Sequence, residues 1–277
     1  MTMNFSKTLL ATLLATLGAT AAQAATLSLV SGSVNGSLAV LAGVNDQAVA
    51  VDAGIDDLSG SGYLLGAGGN DVSQTLTPAG TLTHLWSASA SLDTTLNPAS
   101  AAFQAGSISV LGVDAAGRFD GSDDSTTVLL EAELAILSTG EAEGSAVQVD
   151  VSGVADALFA STGPDVQALT TFDLVVRGAD SRILGSWQGL PAGGSGSFSL
   201  RFQSQIGQVL SFSLSHYSSL MADGLALGAG ASHTLEASAL LDGQISVSAV
   251  PEPETYALFL AGLAAIGLLQ RRSRSAH

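Results

Sequence analysis

The chain has 277 residues, 47% of them apolar and only 12% charged, a length that one all-β sandwich can absorb whole. Eight Lys and Arg against 24 Asp and Glu leave a formal net charge of −16, which excludes a nucleic-acid binder and argues against docking on anionic lipid, since both need a basic face. The absence of cysteine removes disulfides, thiolate metal sites, iron–sulfur clusters and any cysteine nucleophile.

The N-terminus has the order of a secretory signal. Lys7 gives the positive flank, Thr8 to Thr20 is a short leucine-rich run, and Ala22-Gln23-Ala24 is a small-residue A-x-A site. Leu9, Leu10, Leu13, Leu14 and Leu17 also have helical spacing, so an amphipathic helix of the mature fold is the alternative. The order of charge, apolar run and cleavage site favours a signal peptide over residues 1–24, cut by signal peptidase to leave Ala25 first. Lys7 is the only lysine, so the exported chain would have none.

Residues 25–249 read as the body, and residues 25–250 carry 22 acidic and four basic residues. Period-two alternation recurs along it. Val128, Leu130, Ala132, Leu134 and Ile136 share one strand face, and Val147, Val149 and Val151 another. Phe198, Leu200 and Phe202 alternate with serines, Arg201 and Gln203, and Leu210, Phe212 and Leu214 with Ser211, Ser213 and Ser215. Leu235, Ala237, Ala239 and Leu241 precede Asp242-Gly243, after which Ile245, Val247 and Ala249 form the last run. One apolar face and one Ser/Thr face is the pattern of antiparallel strands in half-solvated sheets.

Turn clusters are expected at Ser59–Gly62, Gly66–Asp71, Asp114–Asp124, Ser138–Gly144, Gly163-Pro164 and Pro191–Gly196. The stretch Ala48–Ser73 is less regular and reads as a long loop or an edge excursion. Short strands between such turns, without a long helical pattern or an internal repeat, predict an antiparallel β-sandwich of jelly-roll or immunoglobulin-like type.

Chemistry-bearing residues in the body are few. His84, His216 and His233 with abundant Ser and Asp do not rule out a Ser-His-Asp triad by inventory. However, no G-x-S-x-G elbow or H-E-x-x-H run is present, and His216 continues an inward-facing alternation. Asp114, Asp120, Asp123 and Asp124 in DAAGRFDGSDD, and Gly68-Gly69-Asn70-Asp71, are weak calcium candidates. Neither has the ligand spacing of an EF-hand, and the expectation is a solvated acidic turn with no metal. Asn35-Gly36-Ser37 matches a glycosylation sequon without further support. Trp86 sits in a strand pattern and reads as core, whereas Trp187 beside the Gly185–Gly189 turn is a weak ligand candidate for stacking on a sugar. The reading is of a non-enzyme without a cofactor.

At the C-terminus, Pro251-Glu252-Pro253 breaks the last strand, because two prolines cannot sit in a helix interior or central strand. Tyr256–Leu269 then runs for fourteen residues without a charge, followed by Arg271, Arg272 and Arg274. A helix of that length spans about 21 Å, short for a permanent anchor, and a buried core helix is the alternative. The run has no polar face until Gln270, which favours the membrane. The arginines hold its far end on the cytoplasmic side, so the body faces outward.

Pro251-Glu252-Pro253, the Tyr256–Leu269 run and the Arg271-Arg272 cluster, taken with the N-terminal signal, resemble the PEP-CTERM sorting signal of Gram-negative bacteria. The resemblance is confined to the tail, residues 250–277, and to the signal peptide. It implies recognition by an exosortase-like membrane protease, with cleavage near the motif after a transient stay in the inner membrane. It further implies residence in the cell envelope or outside the cell, with exopolysaccharide or biofilm as partner. The expected role is structural or adhesive, with a carbohydrate-binding module and, after it, a secreted hydrolase as alternatives.

Overall fold

A computed structural model describes residues 25–44, 46–76, 80–115, 117–161, 166–189, 194–227, 232–250 and 261–264. Alternation of apolar and small polar side chains makes nearly all of these residues strands, and pairing is antiparallel throughout. In chain order they are β1 (Ala25–Val44), β2 (Gln47–Gly54), β3 (Asp56–Asp57), β4 (Tyr63–Leu76), β5 (Gly80–Asn97), β6 (Ser100–Ala115) and β7 (Gly117–Ser138). Then come β8 (Ala146–Ser161), β9 (Val166–Arg177), β10 (Ile183–Gly189), β11 (Gly194–Gln205), β12 (Val209–Leu227) and β13 (Ser232–Ala249).

One sheet has the order β10-β9-β12-β7-β1-β2 and the other β11-β8-β13-β6-β5-β4-β3. Within them, β6 to β13 pair as a folded-over hairpin: β6 with β13, β7 with β12, β8 with β11 and β9 with β10. The further neighbours β13-β8 and β12-β9 complete the strand order of an eight-stranded jelly roll. β1 and β2 extend one sheet beyond β7, and β5, β4 and β3 extend the other beyond β6. The sandwich expected from the sequence is present, and the strand order selects the jelly roll over the immunoglobulin-like alternative.

The inward positions expected in β7, β8 and β12 are all buried, and Phe198 in β11 and the odd residues Leu235 to Leu241 of β13 join them in the core. In β1 the inward face changes from Ala25 and Leu27 to Val34, Leu38 and Val40. A register shift between Leu29 and Ser31 explains the change, because one extra residue moves every later side chain to the opposite face.

Three local expectations are corrected. Ala48–Ser73 is largely strand, forming β2, β3 and the start of β4 at the sheet edges. Gly66–Asp71 lies inside β4, where Gly66 packs under Val34 and Ile55 instead of turning. Asp114–Asp124 is mostly the end of β6 and the start of β7. β13 runs unbroken through Asp242-Gly243, so the apolar runs on either side form one strand. Gly243 is needed there for space: a β-carbon would collide with the ring of Phe103 and with the Ser152 carbonyl. Ser59–Gly62 and Ser138–Gly144 do hold turns.

The chain enters and leaves the body at one end. Leu27 N–H in β1 donates to the Pro98 carbonyl at 2.8 Å, and Val247 N–H in β13 donates to the neighbouring Ala99 carbonyl at 2.9 Å. Ala25, the residue expected to follow cleavage, is the first residue of β1 and is fully buried.

Candidate functional site

Two places merit attention, the junction of body and tail and a layer of polar side chains inside the sandwich. At the junction, β13 ends at Ala249, and Val250 N–H still donates to Ala146 O at 3.4 Å. β13 lies between β6 and β8 and is bonded to both over nearly its whole length. The tail therefore leaves from an interior strand that cannot be peeled away from an edge. Pro251, Glu252, Pro253, Arg271, Arg272 and Arg274 lie outside the described residues, as do the cleavage-site residues Ala22 and Ala24. So does most of Tyr256–Leu269, of which Ala261–Ala264 is helical and exposed. Among the described residues no helix is long and apolar enough to cross a membrane.

The polar layer arises from strand periodicity. On β5, His84 takes the inward position between Leu82 and Trp86, and on β6 Ser107 and Ser109 lie between Ala105 and Leu111. On β7, Asp124 and Thr126 precede Val128, and on β12 His216 and Ser218 follow Leu214. Together these residues separate a large apolar cluster, containing Trp86, Phe103, Phe172 and Phe212, from a smaller one built on Leu82, Leu111, Phe119 and Leu235.

Most polar groups in the layer reach across the sandwich, whereas Ser218 accepts from Thr170 Oγ1 at 3.3 Å within its own sheet. Trp86 Nε1–H donates to Thr126 Oγ1 at 3.0 Å. His216 Nδ1–H donates to the Thr171 carbonyl at 3.3 Å, so its Nε2 accepts the Ser107 hydroxyl proton at 2.7 Å. The ring also stacks on Phe172 with centroids 4.4 Å apart. Burial, only partly offset by the Thr171 hydrogen bond, pushes His216 down to about 4, so the ring is neutral near pH 7. His233, buried against Phe119, is also lowered by burial.

His84, Ser109 and Asp124 form a closed triangle. His84 Nε2 lies 3.1 Å from Ser109 Oγ and 3.3 Å from Asp124 Oδ2, and the Ser109 hydroxyl donates to that same Asp124 oxygen. All three side chains are at most 5% exposed. The grouping contains Ser, His and Asp but is not a hydrolase triad. There the carboxylate holds one imidazole nitrogen and the serine the other. Here both meet Nε2, Nδ1 makes no hydrogen bond among the described residues, and no substrate can reach the serine.

The weaker candidates fall elsewhere. Trp187 is not at a loop tip: it lies within β10, half-buried, with its ring stacked on Phe198 of β11 at 4.5 Å and 23°. It thereby closes the side of the sandwich between two edge strands, with one face already occupied. Asp123 points outward and Asp124 inward, as neighbours in a strand must, while Asp114 is exposed and Asp120 accepts the Asp46 N–H at 2.7 Å. No group of three or more His, Asp or Glu able to hold a metal occurs among the described residues. A shallow groove of about 660 Å³ crosses the outer face of the seven-stranded sheet over Gly106, beside Ser87, Ile108, Asp156 and Leu240. It has no histidine in its lining.

The alternation of inward positions could have disclosed the polar layer, because His84, Ser109, Asp124 and His216 each interrupt an apolar face. What no single strand could disclose is which of them meet, since that depends on the packing of one sheet on the other.

The PEP-CTERM protein-sorting motif matches residues 249–274, beginning at the last residue of β13. No curated protein matches the sequence. Among solved structures, infectious bursal disease virus of the Gt strain aligns at 13% identity over 83% of this chain and 66% of that one, with a TM-score of 0.16. The VP2 subviral particle of the same virus aligns at 12% identity over 84% and 68%, with a TM-score of 0.14. Overlap this slight carries no argument about fold or function.

Proposed function

We propose, from the PEP-CTERM protein-sorting motif that the chain carries over residues 249–274, that this protein is an exported structural or adhesive component of the cell envelope or exopolysaccharide matrix. The motif implies export across the inner membrane, a membrane-held precursor and exosortase-dependent sorting to the envelope side. The finer assignment, a matrix component that turns over no external substrate, is our own reading.

The observation that carries the proposal is the position of the motif. It starts where β13 stops, so a protease working at Pro251-Glu252-Pro253 needs no unfolding of the sandwich. Entry and exit at the same Pro98–Ala99 corner support it further. A signal peptide and a tail helix in one membrane would hold the body by a single end and leave the rest projecting outward. The serine-rich outer faces keep the sheets soluble with few charges.

Fractionation of the native host tests the proposal. The mature body should begin at Ala25, lack the tail and co-purify with the extracellular matrix, and a strain lacking the protein should shed matrix more readily. A full-length product that stays in the inner membrane, with no change in the matrix on its loss, would overturn the assignment.

A further inference from the structure

We propose that Ser109 and Asp124 condense to an ester that ties the two sheets together, with His84 moving the protons. The residues come from three strands, β6, β7 and β5, and meet in the buried layer between the sheets. The feature that disqualifies the triangle as a hydrolase is the one that condensation requires. A single imidazole nitrogen, Nε2, faces both the attacking oxygen, Ser109 Oγ, and the departing oxygen, Asp124 Oδ2, at 3.1 and 3.3 Å.

In the step, the Asp124 carboxyl enters as the acid, with its hydroxyl on Oδ2. As Ser109 Oγ attacks Asp124 Cγ, its hydroxyl proton passes to His84 Nε2. The tetrahedral intermediate then expels the Oδ2 hydroxyl, which takes the same proton back from Nε2 and leaves as water. One C–O bond forms and one breaks, one water is released, and His84 ends neutral as it began. Nothing is oxidised or reduced.

Esterification in open water is opposed by the solvent. Two groups fixed in contact react as if at effective concentrations of roughly 10⁵ M or more, far above that of water itself. Exposures of 0, 5 and 2% for His84, Ser109 and Asp124 also keep out the water that would reverse the step. The chemistry suits the composition. The chain has no cysteine for a disulfide, and its single lysine, Lys7, lies outside the body, so a lysine amide cannot link the sheets. A hydroxyl and a carboxyl are a pair that the body does supply. The proposal is independent of how the tail is sorted.

Arg118 makes the test direct, because it is the only Lys or Arg between Ser109 and Asp124. Trypsin acting on the denatured full chain cuts there, and the ester would hold the peptide ending at Arg118 to Phe119–Arg177. The linked pair should weigh one water less than the sum of its parts, and alkaline hydroxylamine should separate it. Ser109→Ala should yield separate peptides, and His84→Gln should slow the appearance of the link in freshly folded protein. Separate peptides of unaltered mass from the wild type would overturn the proposal, as would a link that survives in Ser109→Ala. An unchanged rate in His84→Gln would remove His84 from the chemistry.

Discussion

The two ends of the sandwich are built differently. At the end where the chain enters and leaves, the large cluster packs Phe103 against Phe212 at 4.9 Å and Trp187 against Phe198 at 4.5 Å. Phe103 and Phe198 rest over the paired glycines Gly243 and Gly153, where any β-carbon would collide with a ring. Beyond the polar layer, the small cluster at the far end has ten buried residues among those described, of which Phe119 is the one aromatic ring, with Phe159 packed partly buried against it. The larger cluster thus lies at the end where the chain enters and leaves the body.

Core truncation should separate the ends most sharply. Phe103→Ala removes a fully buried ring from the large cluster and should cost about 3–5 kcal/mol by chemical denaturation. Phe119→Ala, at an end with fewer neighbours to hold a cavity open, should fall toward the lower part of that range. Equal losses would mean that the polar layer does not divide the core energetically.

Acid should act next, through the layer itself. The unfolded chain binds a proton at His216 near 6.5 and the folded chain only near 4, so between these values the unfolded state holds more protons. His216 therefore contributes its full stability above about pH 6.5, and the contribution is lost as pH falls toward 4. The difference is about 3 kcal/mol at roughly 1.4 kcal/mol per unit. Melting temperatures measured from pH 7 to 4.5 should fall less steeply in His216→Gln than in the wild type. Parallel curves would contradict the buried neutral ring.

A smaller effect is expected at the edge closed by Trp187. Trp187→Ala should destabilise the anchored end by about 2 kcal/mol, less than a fully buried ring because the side chain is half-exposed. It should leave any binding to exopolysaccharide unchanged, since one face of the ring is already stacked on Phe198. A saturable affinity lost in this variant would restore the sugar-binding reading. Chelation should have the least effect. Asp123 and Asp124 point to opposite faces, so removing divalent cations should leave the melting temperature where it was.

Strand alternation made the sandwich legible, and β7, β8 and β12 could be assigned residue by residue. The Pro-Glu-Pro segment, the apolar run and the arginines made the sorting tail legible for the same reason, as each is a local pattern. Errors arose where a local signal served a distant partner. Gly66 resembled a turn residue but lies under Val34. Asp124 resembled a solvated loop carboxylate until β7 turned it inward toward a histidine 40 residues away. The hairpin pairing of β6 to β13, which separates a jelly roll from other sandwiches, is likewise a property of contacts far apart in sequence.

Replacing Pro251-Glu252-Pro253 with alanines in the native host tests the central claim most directly, with intact mass and cell fraction as the readout. The sorting account predicts a body that is exported and folded as before but remains membrane-held and longer by its tail, whereas deletion of Tyr256–His277 releases it in soluble form. A triple-alanine variant cut and placed like the wild type would contradict the account, and the C-terminal segment would then be a plain anchor or part of the fold.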